Sequence, residues 1–197
     1  MHTFIKGPKG DVVKEELDIL KWIPEIADIK DDKLREMVIS VWRRLWSESK
    51  FENIADVPIR PPMDPPYPHM VHNRSVVQMA IKVAEVLHQA HGTEINMDHL
   101  IAAAALQDSS KVIEYEPGPE GTVYSERGRM FQHAFYAAHA ALDEGLPDEI
   151  VQAIFSHTFE ASKFPQTLIG KILFYVDQVD MAAVGGDRWR KSGVLYR

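Results

Sequence analysis

Apolar residues recur along most of the chain at steps of three and four, the spacing that puts side chains on one face of an α-helix. Leu34, Val38, Val41, Trp42 and Leu45 form one such stripe, and they predict a helix from a cap at Asp31 or Asp32 to about Ser47. Val12 to Ile23 reads as an earlier helix, ended by Pro24. Val76, Ala80, Val83 and Leu87 predict a helix from His72 to His88, stopped by Gly92. Ile101, Ala104 and Ala105 mark the inner face of the next, from Met97, with Asn96 as cap, to about Asp108. Phe131, Ala134, Phe135 and Ala138 read as the inward face of a helix to Leu142, closed by Gly145. Pro147, Asp148 and Glu149 suit the first turn of another, whose Ile150 and Ile154 lead to His157. Ile169, Ile172, Leu173, Val176 and Asp180 lie on the stripe of a last long helix between Pro165 and Gly185-Gly186.

Between these segments the pattern breaks. Pro58, Pro61, Pro62, Pro65, Pro66 and Pro68 crowd one stretch, read as an extended loop laid over the domain, with Arg60 in reach of a site mouth. Glu114 to Gly128 reads as loop on its glycines and prolines, and no segment reads convincingly as a strand. The expected fold class is therefore all-α, a bundle of about six to eight helices forming one domain over residues 1–197, with an N-terminal helical pair at 11–48 packed on the rest.

Composition narrows the chemistry. The 197 residues are 45% hydrophobic and 26% charged, as in a soluble globular protein with a core that needs no staples. Cysteine is absent, so disulfides and thiolate metal sites are excluded, and a metal would need His, carboxylate or amide ligands. The formal net charge of −7 argues against a nucleic-acid polymer as partner but leaves room for a small anionic substrate in a local basic pocket. No apolar run is long enough to span a membrane and the N-terminus lacks a signal-peptide core, so the expected location is cytoplasmic with no membrane partner. Trp22, Trp42, Trp46 and Trp189 are ample aromatic bulk for one small core, which raises a homodimer as an expectation.

His72, Asp108, His133, His157 and Asp177 then stand out, because each falls on or beside the apolar stripe of its own helix. A lone buried histidine is more often a hydrogen-bonded core residue than a ligand. Five residues of metal-binding types, three His and two Asp, on five helices point instead to one shared site. His72 and His133 open helices, whereas Asp108 and His157 close them. In sequential antiparallel helices that alternation puts all four at one end of the bundle, with Asp177 reaching the cluster from the middle of the last helix. Buried Asp108 and Asp177 would be costly without a cation or strong donors. His88, His91 and His99 show no matching pattern, while His69 and His139 are candidates for a supporting place beside the ligands, as is Asp180.

These residues resemble the HD-domain superfamily, named for its His-Asp metal-binding pair. The resemblance rests on His72-Asn73-Arg74-Ser75-Val76, on Ala103-Ala104-Ala105-Leu106-Gln107-Asp108-Ser109-Ser110-Lys111, on Gln132-His133, on Gly145-Leu146-Pro147-Asp148-Glu149-Ile150 running to Ser156-His157, and on Tyr175-Val176-Asp177-Gln178-Val179-Asp180. It covers an HD-like core of roughly residues 65–185, and the order, spacing and helical phase of its motifs are more specific than any one of them. Position 107 departs from it, with Gln107 where the family has His.

The resemblance implies one or two divalent ions (Fe, Mn, Co, Ni, Zn or Mg). One would be held by His72, Gln107, Asp108 and Asp177, the other by Asp108, His133 and His157. Gln107 offers a neutral oxygen where an imidazole belongs. The implied activity is hydrolysis of a small phosphorylated substrate such as a nucleotide. In that reading Asp108 and Lys111 are catalytic, and Arg74, Arg127 and Arg129 bind the anion. Two other readings follow from the same layout: a two-iron oxygenase or a non-hydrolytic lyase or hydratase. The loss of one ligand adds a third, a non-catalytic binding remnant.

Overall fold

A computed structural model describes residues 16–61, 67–159 and 161–184. It is an all-α bundle. Its α-helices are α1 (Asp32–Glu48), α2 (His69–His91), α3 (Met97–Leu106), α4 (Lys111–Glu114), α5 (Glu126–Met130), α6 (His133–Asp143), α7 (Asp148–Phe155) and α8 (Leu168–Val184). Among the described residues no helix is long and apolar enough to cross a membrane.

The central helix is α3. Every residue from Leu100 to Leu106 is buried, which makes α3 apolar on all sides, as a helix enclosed by others must be. It packs against α1, α2, α7 and α8. Asn96 caps its start by accepting from the His99 amide. Because α3 runs through the core, the residues that follow it, Gln107 and Asp108, emerge inside the molecule with 0% and 1% exposure.

The expected stripe of α1 is buried as predicted, and Asp31 caps it through the Lys33 and Leu34 amides. Trp42 donates from Nε1 to the Ala105 carbonyl at 3.1 Å. Trp42 and Trp46 are thus core residues and no argument for a docking face. The helix expected over Val12–Ile23 is not seen where it can be checked: its first residues lie outside the described ones, and Ile19–Lys21 and Pro24–Asp28 are 3₁₀ turns. Ile23, Ile26 and Ile29 are all fully buried, and a spacing of three puts side chains on one face of a 3₁₀ helix, whereas an α-helix would spread them.

Further corrections follow from local chemistry. Glu114–Gly128 is not all loop: β1 (Tyr115–Gly118) and β2 (Gly121–Tyr124) pair antiparallel, with Tyr115 opposite Tyr124. Its glycines and prolines make the hairpin turn and one short strand, so strand propensity was hidden by turn residues. On α6 the inward face is Ala134, Ala137, Ala138, Ala140 and Ala141, which lets α7 approach closely. Phe131 and Phe135, expected inward, are 44% and 45% exposed and stack on each other. Both ends of the proline-rich loop are pinned to each other by the Ile59 amide to the Tyr67 carbonyl and the His69 amide to the Val57 carbonyl. Pro62, Pro65 and Pro66 lie outside the described residues, as do Gly185-Gly186 and Trp189.

Candidate metal centre

Asp108 is the hub. Its Oδ2 lies 3.2 Å from His72 Nε2, and its Oδ1 lies 3.2 Å from His133 Nε2 and 3.4 Å from His157 Nε2. His72 Nε2 is also 3.1 Å from Asp177 Oδ1. The five residues singled out in the sequence are therefore brought together. They form two overlapping groups, His72/Asp108/Asp177 and Asp108/His133/His157, and within each group the ligand atoms lie within 4.8 Å of one another.

Local structure explains the convergence. His72 sits in the first turn of α2, and His133 is the first residue of α6. Asp108 and His157 lie two residues beyond the ends of α3 and α7. Asp177 projects from mid-α8, one residue after buried Val176. Ser110 ties His133 in place by donating from Oγ to its backbone carbonyl at 2.7 Å.

Hydrogen bonds fix which ring nitrogens face the centre. His157 Nδ1 lies 2.7 Å from the Ile154 carbonyl. A carbonyl only accepts, so Nδ1 carries the proton and Nε2 is the nitrogen turned to Asp108. His72 Nδ1 lies 2.7 Å from Asp180 Oδ2, while Ser75 and Tyr67 donate their hydroxyls to the same Asp180 carboxylate. Asp180 thus orients His72 from behind.

In a neutral ring the Nε2 atoms of His157 and His72 would be acceptors aimed at carboxylates, which are also acceptors. Such contacts repel unless a proton or a cation lies between them. Burial alone would lower the pKa of His72, but Asp108, Asp177 and Asp180 hold it well above the ordinary value. The same balance of burial against Asp108 and Asp177 raises His157. Asp108, despite burial, is held well below the carboxylate range by Lys111, His133, His157 and His72. His72 Nε2 and Asp108 Oδ1 have no hydrogen-bond partner, and neither do the two amide atoms of buried Gln107. This donor set of imidazoles and carboxylates fits a divalent ion, which would take the place of any proton between these acceptor groups.

Around this centre the other predicted residues sort unevenly. Lys111 is buried, with Nζ 3.9 Å from Asp108 Oδ1 and 3.4 Å from Glu114 Oε2. Arg127 pairs with Glu48, lies 4.6 Å over the Tyr136 ring, and lines a water-sized surface hollow with Glu114, Phe131 and His133. Arg74 is engaged at the surface by Glu25, and Arg129 donates to the Tyr124 carbonyl. His69, one turn before His72, is fully buried against Trp42, and burial pushes it down to about 3. His139 is 45% exposed beside Asp143.

Sequence reasoning missed Glu114. It is buried at 8%, with Oε1 3.6 Å from His133 Nδ1 and Oε2 against Lys111. Its only signal in the sequence was the i, i+3 spacing from Lys111.

The fold and the centre define a class: an all-α protein whose core carries a His/Asp cluster that could hold a metal ion. No family model matches the chain, and no solved structure matches it. It is similar to the dihydroneopterin 2′,3′-cyclic phosphate phosphodiesterase of Methanocaldococcus jannaschii, at 28% identity over 162 residues. The match takes in 77% of this chain and 64% of that protein, so the chain spans a little under two thirds of its relative's length.

Proposed function

We propose that this chain is a metal-dependent hydrolase of a small phosphorylated substrate, built on the HD-type centre its motifs resemble. The observation that carries this reading is the single buried carboxylate shared by two ligand groups: Asp108 faces His72 with one oxygen and both His133 and His157 with the other. Its similarity to a phosphodiesterase that acts on a cyclic phosphate favours a phosphodiester as substrate over the oxygenase and lyase alternatives.

His72, Asp108 and Asp177 would hold one ion and Asp108, His133 and His157 the other. Bound ions would supply an activated water and positive charge for phosphoryl oxygens. The chain's own residues do the rest. Asp180 and the Ile154 carbonyl keep His72 and His157 turned inward. Lys111 adds a buried positive charge beside Asp108, its pKa raised by Asp108 and Glu114 against burial. Arg127, at the hollow beside His133, is placed to meet an anionic group if it leaves Glu48. Hydrolysis of a cyclic diester adds water across one P–O bond and leaves a monoester and a freed hydroxyl.

The test is direct. Protein stripped of metal and reloaded with Mn²⁺, Co²⁺ or Fe²⁺ is incubated with a 2′,3′-cyclic nucleotide and with a linear diester, and the monoester is quantified. Metal-dependent release of monoester is expected. No uptake of any ion, or uptake without hydrolysis of either diester, overturns the proposal.

A further inference from the structure

Glu114 is a buried carboxylate with both oxygens occupied, and the hydrolase reading gives it no task. Oε1 faces the Nδ1 of His133 at 3.6 Å, a little beyond hydrogen-bond length. Oε2 faces Lys111 at 3.4 Å. The opposite nitrogen of the same His133 ring, Nε2, points at Asp108.

The backbone around Glu114 is built to hold it. Its carbonyl accepts from the Ser125 amide at 2.9 Å, and Ser125 Oγ donates to the neighbouring Ile113 carbonyl at 2.7 Å. Gly128 packs so closely on the Glu114 carbonyl that a Cβ there would fall 2.1 Å from its oxygen, so only glycine fits. The unexpected hairpin and α5 thus clamp the residue that backs His133.

We infer that Glu114 is a positioning residue: it takes the Nδ1 proton of His133, so that the ring presents Nε2 to the centre. A ligating histidine that donates its other N–H to a carboxylate is held in one tautomer and one orientation, and losing such a partner typically weakens metal binding by about 10–100-fold. Lys111 holds the Glu114 carboxylate in place and offsets its charge. This inference rests on the reading of His133 as a metal ligand.

Mn²⁺ titration of the full chain, with bound ion read by electron paramagnetic resonance, separates the possibilities. Wild type is expected to bind two ions. Glu114→Gln should keep one at wild-type strength and weaken the other about 10–100-fold. Glu114→Gln combined with His133→Gln should be no worse than His133→Gln alone, since Glu114 acts through that ring. Lys111→Met in the Glu114→Gln background should not restore the lost affinity; if it does, Glu114 serves only to neutralise Lys111 and the inference is overturned. Two ions bound to Glu114→Gln at wild-type strength overturn it while leaving the hydrolase reading intact. A wild type that binds no ion overturns both. Glu114→Asp keeps the carboxylate and serves if Glu114→Gln does not fold: partial recovery of the second ion is expected, and full wild-type binding despite a shortened side chain counts against the inference. Nitrogen-15 shifts of the His133 ring in Zn²⁺-loaded protein give a second readout, with Nδ1 protonated and Nε2 turned to the ion in wild type and a mixture of ring states expected in Glu114→Gln.

Discussion

On one side of the candidate centre two imidazoles, His133 and His157, face one carboxylate oxygen; on the other a single imidazole, His72, stands among Asp108, Asp177 and Asp180. The first side is nitrogen-rich and backed by Glu114 and a backbone carbonyl. The second is oxygen-rich, and Gln107, next in sequence to the shared Asp108, has both amide atoms buried without a partner. Imidazole ligands suit Fe, Zn or Ni, while carboxylate and amide oxygens suit Mn or Mg, so the two sides are expected to differ in which ion they hold and how tightly. Among the described residues Asp108 is the one ligand common to both groups, and that joint is the place to break the comparison.

Asp108→Asn should have the largest effect. It keeps the shape but removes the charge both sides share, so both ions should be lost and hydrolysis should fall by about 10³-fold or more, roughly 4 kcal/mol of barrier. Elemental analysis and monoester release check this, with circular dichroism to show that the fold persists. Retention of one ion at full occupancy would mean that the sides are independent sites.

His157→Gln and His72→Gln sharpen the same contrast by one step. Each should weaken its own ion by roughly 10²-fold and the other by no more than a few fold, because direct ligands outrank their supports. Calorimetric titration of each variant with Mn²⁺ gives the two constants. Equal losses at both ions in both variants would show one cooperative centre.

Protons offer a subtler separation. The pKa of His72 is held well above its ordinary value by Asp108, Asp177 and Asp180, and that of His157 is raised by Asp108 and Asp177, so each holds a proton to higher pH than a free imidazole does. Metal ligands must give those protons up, so binding releases them and affinity climbs with pH until the folded-state pKa is passed. The expected slope is up to about tenfold per pH unit for each proton displaced. Three carboxylates crowd His72, and the ion it holds should therefore stay pH-dependent to higher pH than the ion held by His157. Affinities measured from pH 6 to 9 that do not change would show that binding displaces no proton from these rings.

Much of this asymmetry could be read from the chain, and the reasons are physical. The apolar stripes of α1 and α8 have the helical period, α3 is apolar all round, and polar residues at odds with these apolar segments stood out because burying them is costly. The alternation of helix starts and ends then made their convergence predictable. Glu114 and the hairpin stayed hidden because neither carries a periodic signal: a four-residue strand containing a proline and bounded by a glycine turn looks like loop. Phe131 and Phe135 misled for the opposite reason. Large residues at helical spacing normally mark the core, yet here close packing of α6 on α7 selected alanines for the inner face. Arg74 and Arg127 show a further limit, since a sequence does not say that Glu25 and Glu48 will meet them first.

Gln107→His is the smallest and most discriminating change. It puts an imidazole beside Asp108 at a wholly buried position whose amide now makes no hydrogen bond, so it removes two unpaired buried atoms and supplies a nitrogen. If the oxygen-rich side is weak because it lacks that nitrogen, its ion should bind about tenfold tighter, on the order of one ligand-tuning step, and its preference should move from Mn²⁺ toward Fe²⁺ or Zn²⁺. The ion held by His133 and His157 should not respond, because Gln107 is in neither their ring contacts nor those of Glu114. A paired titration with Mn²⁺ and Zn²⁺ decides it. Unchanged affinities and unchanged preference would mean that Gln107 is a buried spectator, and the difference between the two sides would then have to come from the carboxylates around His72 alone.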